Sequence, residues 1–204
     1  MTKNKKKSLC DINESCLMIV DIQEKLSAVM PEKVINRLKT NANILLTAAN
    51  KLNIPIIATM QYPKGLGDIE NYIKDQLTDT SKCFEKTSFS GAMANGLLEH
   101  IEKLKKKQII LIGLESHICV LQTALEFSEK GYEVFVVSDA IASRKLTSYE
   151  TALTRLEQAD IWLLNTESVL FEWIRDAAHE RRPARNNKKM GGLGRTLFDA
   201  PSTE

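Results

Sequence analysis

Three side chains in this 204-residue chain have the type and the setting for carbonyl chemistry: Asp21, Lys86 and Cys119. The stretch from Gln108 to Ala124 reads QIILIG, LESHIC, VLQTA, a buried strand, a tight polar turn and a helix, with Cys119 where turn becomes helix. Free N–H groups and the positive end of the macrodipole gather at a helix start and favour an anion. A cysteine there is expected to ionise more readily than its reference pKa of about 8.5, which is how a thiol becomes a nucleophile. Asp21 ends the apolar run Cys16-Leu17-Met18-Ile19-Val20, and Lys86 follows Ser81-Lys82-Cys83-Phe84-Glu85. The three types supply a general base, a cation and a nucleophile. Taken singly, each has a plainer reading: a small buried hydrophobe, a turn or cap residue, and a solvated lysine.

The elements around them decide whether they meet. Residues 16–20 read as a strand buried on both faces. Pro31 opens a long helix whose Val34, Ile35, Leu38, Ala42, Leu45, Leu46, Ala49 and Leu52 form one apolar face. Strands are expected at 54–59, 81–85, 108–113, 134–139 and 161–164. Helices are expected at 69–77, 92–104, 148–158 and 167–177, besides the one following Cys119, which Gly131 stops. Strands alternating with helices imply an α/β fold: a three-layer, doubly wound, Rossmann-like six-stranded parallel sheet. With strand order 3-2-1-4-5-6, strands one and four are neighbours where the order reverses, and ligands bind at that point. Asp21, Lys86 and Cys119 would then share one crevice. One domain is expected over residues 9–178, with a basic tail at 1–8 and a polar basic tail at 179–204.

Composition narrows the function classes. At 43% hydrophobic the chain can bury a core. No run reaches the ~18 apolar residues of a membrane helix, and the lysine-rich start lacks the apolar stretch of a secretory signal. The net charge of +2 is uneven. The two ends, 1–7 and 181–204, hold ten basic and two acidic residues, leaving 18 basic and 24 acidic in the body, a net of −6. An acidic body argues against nucleic acid as the main partner. Four cysteines, with no C-x-x-C pair, form neither a disulfide framework nor a structural zinc site, so a cytoplasmic setting is expected. The three histidines offer no i, i+4 metal pair, and His117, two residues from Cys119, does not face it. Gly191-Gly192-Leu193-Gly194 lacks the strand and helix of a phosphate loop, and no G-x-S-x-G elbow is present.

Val20-Asp21-Ile22-Gln23, Lys86-Thr87-Ser88-Phe89-Ser90-Gly91 and Gly113-Leu114-Glu115-Ser116-His117-Ile118-Cys119-Val120-Leu121-Gln122-Thr123-Ala124 together resemble the isochorismatase-like cysteine hydrolases. The metal-free isochorismatase-domain branch is the most similar, through Gln61-Tyr62-Pro63-Lys64-Gly65-Leu66-Gly67, Ser138-Asp139-Ala140 with Ser143-Arg144, and Thr166-Glu167-Ser168-Val169-Leu170-Phe171-Glu172. The resemblance implies catalytic Asp21, Lys86 and Cys119, with attack on a carbonyl through a covalent thioester. It also implies a cis peptide at Glu115–Ser116 that aims the N–H groups of Ser116 and Cys119 at an oxyanion. Gln23, Met60, Tyr62, Phe89 and His117 are the expected pocket residues. No metal and no cofactor are expected, because Met60-Gln61-Tyr62-Pro63 stands where the nicotinamidases of this superfamily carry an Asp/His cluster. A small-molecule substrate follows, an amide or related carbonyl compound ahead of a vinyl ether, along with homo-oligomerisation. The competing expectation is a non-catalytic binding or regulatory protein on the same fold.

Overall fold

The computed structural model describes residues 8–176 of the chain. The expected tails therefore lie outside the described residues, apart from Ser8. Six parallel strands form one sheet: β1 (Ser15–Val20), β2 (Ile56–Gln61), β3 (Lys82–Lys86), β4 (Gln108–Leu114), β5 (Glu133–Ala142) and β6 (Trp162–Leu164). Their order is β3-β2-β1-β4-β5-β6, so the doubly wound arrangement expected from the alternation is present. β1 is buried throughout, and so is β4, which accounts for apolar runs without a polar alternation.

Helices cover both faces. On one side α2 (Glu32–Leu52) and α8 (Thr166–Ile174) pack Leu38, Leu45, Ala49, Leu170 and Trp173 onto Leu17, Ile19, Ala58 and Ile110. On the other, α5 (Leu97–Leu104), α6 (Leu121–Glu129) and α7 (Leu146–Gln158) bring Leu97, Ile101, Phe127 and Leu156 onto Met18, Val20, Ile57 and Leu111. Odd and even positions of β1 and β2 divide between the two cores, as the pleat demands. Shorter helical turns cover Glu24–Ala28 (α1), Pro63–Leu66 (α3) and Asn71–Lys74 (α4).

Several boundaries differ from the expected ones. β2 starts two residues late because Pro55 cannot donate to the ladder, and it runs on to Gln61 by pairing with β3. The expected helix over 92–104 begins instead as a 3₁₀ turn, Gly91–Met93, and becomes α-helical at Leu97 after Gly96 takes a left-handed φ of 77°. β5 continues to Ala142, with a register shift opposite Leu111 and Gly113. Gly113 permits a close approach of β4 to β1: a Cβ there would sit 2.0 Å from the Val20 carbonyl oxygen. Only glycine lets β4 lie beside β1 just before Asp21.

Candidate active site

The carboxyl ends of β1, β3 and β4 bring Asp21, Lys86 and Cys119 together. Asp21 follows β1 in a left-handed conformation, φ 50°, which turns its carboxylate away from the strand direction. Its side chain and that of Lys86 are fully buried, and Lys86 Nζ donates to Asp21 Oδ2 at 2.6 Å. The other carboxylate oxygen accepts from Thr59 Oγ1 at 2.7 Å. The Cys119 thiol is hydrogen-bonded to the same carboxylate and only 5% of the residue is exposed. A buried anion thus has three donors around it: an ammonium, a hydroxyl and a thiol.

This geometry reverses one expectation about the sulfur. Burial first, then the Asp21 charge, push the Cys119 thiol up to about 12, with Lys86 pulling the other way. The reason is local structure. Ser116–Val120 is a π-helical turn running into α6, so Cys119 is not on an open helix start facing water. The resting group is a thiol hydrogen-bonded to the Asp21 carboxylate. The backbone amide of Glu115 also faces the sulfur.

Glu115 and Ser116 fall differently from expectation. The cis peptide is Leu114–Glu115, one residue earlier than expected, at the junction where β4 ends and the turn begins. The N–H at the sulfur belongs to Glu115, whereas Ser116 and Cys119 are the expected donors to an oxyanion. Ser116 is fully buried, and its Oγ has no partner among the described residues. The Glu115 carboxylate accepts from Arg144 Nε at 3.0 Å and from the Arg144 backbone N–H at 3.2 Å, which ties the turn to the chain leaving β5.

The five expected pocket residues separate. Tyr62 and Phe89 are each 54% exposed beside Lys86: the Tyr62 N–H donates to the Lys86 carbonyl, and the Phe89 carbonyl accepts from Lys86 Nζ. A cavity of about 470 Å³ there is lined by Tyr62, Pro63, Lys86, Ser88 and Met93. Phe89 is not among its lining residues, and neither is Met60. Period two along β2 places it on the opposite face from Thr59 and Gln61, where it packs on the α2 core. Gln23 is not a lining residue either: it is fully buried, accepting from the Gln61 N–H at 2.7 Å and donating to the carbonyls of Gln61 and Gly67. His117 Nδ1 bonds Ser143 Oγ at 2.9 Å and lines a separate cavity of about 290 Å³ with Arg144, Lys145 and Ser148.

Thr59 and Gln61 are the members that sequence reasoning missed. Both are polar, alternate along an otherwise apolar strand, and face the Asp21 side; that alternation was the available signal. Further out, Thr123 Oγ1 accepts from the Gly91 N–H at 2.8 Å and Ser90 Oγ donates to Glu126 at 2.8 Å, fastening the loop after Lys86 to α6. Among the described residues, no group of three or more His, Cys, Asp or Glu side chains gathers as a metal site, and no helix is long and apolar enough to cross a membrane.

Residues 15–168 match the isochorismatase domain family. The isochorismatase family protein 1B of Dictyostelium discoideum is 38% identical over 170 residues, covering 81% of each chain. A structure described as MAR1 ribonuclease from Caenorhabditis elegans superposes with TM-score 0.82 at 29% identity, covering 97% of this chain and 95% of that one. YcaC from Pseudomonas aeruginosa, solved with hexane-2,5-diol and covalent acrylamide, gives TM-score 0.81 at 25% identity, covering 93% and 90%.

Proposed function

The chain belongs to the isochorismatase family of hydrolases, and from that premise we propose that it is a cysteine hydrolase cleaving a small amide or related carbonyl compound through a thioester on Cys119. The observation that carries this reading is the buried Asp21 carboxylate shared by the Lys86 ammonium and the Cys119 thiol. In the first step the thiol proton passes to Asp21 as sulfur attacks the carbonyl carbon. Proton and nucleophile move together, so a thiol near 12 is compatible with reaction at neutral pH. The backbone N–H groups of Glu115 and Cys119 are the assigned donors to the oxyanion. One such donor is typically worth about 2.7–4 kcal/mol of barrier.

Collapse of the tetrahedral intermediate breaks the C–N bond, and Asp21 returns its proton to the leaving amine. Water then attacks the thioester, with Asp21 taking its proton and handing it back to sulfur. One amide and one water give one carboxylic acid and one amine. The Lys86 ammonium, 2.6 Å from Asp21 Oδ2, balances the charge of that carboxylate in a buried setting. The Pseudomonas relative, described with covalent acrylamide, supports a reactive nucleophile on this fold.

A non-catalytic binding protein is the second reading, favoured by the enclosed, protonated sulfur. The test is a panel of small amides, ureides and vinyl ethers, with an RNA arm because the Caenorhabditis neighbour is named a ribonuclease, run on wild type and Cys119→Ala. Hydrolysis of an amide or ureide that vanishes in the variant supports the proposal. Turnover that survives the substitution overturns it, and cleavage of RNA alone replaces it.

A further inference from the structure

We propose that Gln61 is a positioning residue of this site, acting through Lys86 by holding its ammonium on a neutral acceptor. The inference rests on the reading of Asp21, Lys86 and Cys119 as the hydrolytic set. Lys86 Nζ has three hydrogens and four acceptors in reach: Asp21 Oδ2 at 2.6 Å, Gln61 Oε1 at 2.7 Å, the Phe89 carbonyl at 3.1 Å and the Ser88 carbonyl at 3.2 Å. The two short bonds take one hydrogen each, and the two longer ones share the third. No hydrogen remains for a thiolate or a substrate oxygen, so Lys86 acts by its charge and by where that charge is pinned.

Gln61 is built to do the pinning. Its backbone is paired with Lys86 across β2 and β3. Its Nε2 donates to the Thr87 carbonyl at 2.8 Å. An ammonium cannot accept and a carbonyl cannot donate, so only one orientation of the amide satisfies both neighbours. Gln23 then clamps the Gln61 backbone from both sides and reaches the Gly67 carbonyl at 2.7 Å, which locks the loop after β2 to the same assembly. The charge balance explains why the residue is an amide. One lysine faces one carboxylate here, and a second carboxylate at Gln61 would draw the ammonium away from Asp21 and set a like charge near it.

Two variants separate positioning from mere support. Gln61→Leu removes the acceptor at every pH, and kcat is expected to fall about 10- to 100-fold with little change in KM, the size of a lost hydrogen bond to a charged group. Gln61→Glu keeps the shape. Its rate is expected to fall similarly at neutral pH and to recover as pH is lowered and the introduced carboxyl group protonates, a dependence wild type lacks. The rate of Cys119 alkylation by iodoacetamide, taken relative to wild type at each pH, supplies a second measure that needs no substrate, and that ratio is expected to follow the same pattern. Wild-type rates and profiles in both variants overturn the inference. So does a loss that tracks only the fraction of folded protein with an unchanged profile. If Cys119→Ala is inactive while both Gln61 variants behave as wild type, this inference fails and the hydrolytic reading stands. If Cys119→Ala retains turnover, the hydrolytic reading itself has failed.

Discussion

Replacing Asp21 with Asn is expected to make the Cys119 thiol more acidic while abolishing turnover. In the native site burial and the Asp21 charge push the thiol up to about 12, so the sulfur is protonated at pH 8. The Asp21 charge is the largest electrostatic cause after burial, and it opposes a second anion beside it. An adjacent like or opposite charge is worth about 1–3 pH units in a buried setting. Asn keeps the shape and a hydrogen-bond acceptor but removes the charge, leaving the Lys86 ammonium to favour thiolate. Thiolate at pH 9 should therefore rise about 10- to 500-fold, from a lowering of about 1–3 pH units that is equivalent to about 1.4–4 kcal/mol. The assay is a pH titration of thiolate absorbance, with Cys119→Ala in each background as the blank and near-ultraviolet circular dichroism to certify the fold. More thiolate with no hydrolysis means that ionised sulfur is not enough and that the proton acceptor is the missing part. A thiolate fraction that is unchanged or lower in Asp21→Asn would refute the assignment of Asp21 as the group that holds the proton on sulfur.

Three further outcomes follow from particular contacts. Gly113→Ala should cost more than about 3 kcal/mol in denaturant unfolding, since its Cβ would lie 2.0 Å from the Val20 carbonyl oxygen and neither strand can move without the other; a loss under about 1 kcal/mol would contradict that. Burial raises both Cys16 and Cys119 from about 9 to about 12, so their contribution to stability is complete below pH 9 and is lost as pH rises towards 12. The expected slope is about 1.4 kcal/mol per pH unit for each group, and Cys16→Val should remove one share of it. Thr59→Val leaves Asp21 Oδ1 without its hydroxyl donor, and should lower kcat about 10-fold and unfolding free energy by about 1.5–3 kcal/mol; unaltered kinetics would mean that this bond plays no part in holding Asp21.

Much of the frame was legible from the apolar runs, because strands buried on both faces announce themselves without alternation. Cys16 to Val20 and Gln108 to Gly113 led directly to β1 and β4, and their adjacency at the reversal of strand order brought Asp21 and Cys119 into one crevice. What escaped depends on register and on solvent. Met60 and Gln61 differ by one position, and the pleat sends them to opposite cores; without knowing that β2 ran on to pair Gln61 with Lys86, the glutamine looked like the start of a loop. Gln23 is an expected pocket residue, but its side chain is spent on the backbone groups of Gln61 and Gly67. The expected acidity of Cys119 rests on an open helix start, whereas a π-helical turn holds the sulfur against a carboxylate.

The central claim is that Cys119 becomes covalently acylated during turnover. Acid quenching within the first turnovers on a hydrolysed amide, followed by peptide mass spectrometry, measures this directly. The account expects the acyl mass on the peptide that contains Cys119, decaying as product appears, and none in Cys119→Ala. Steady hydrolysis with an unmodified Cys119 throughout would contradict it.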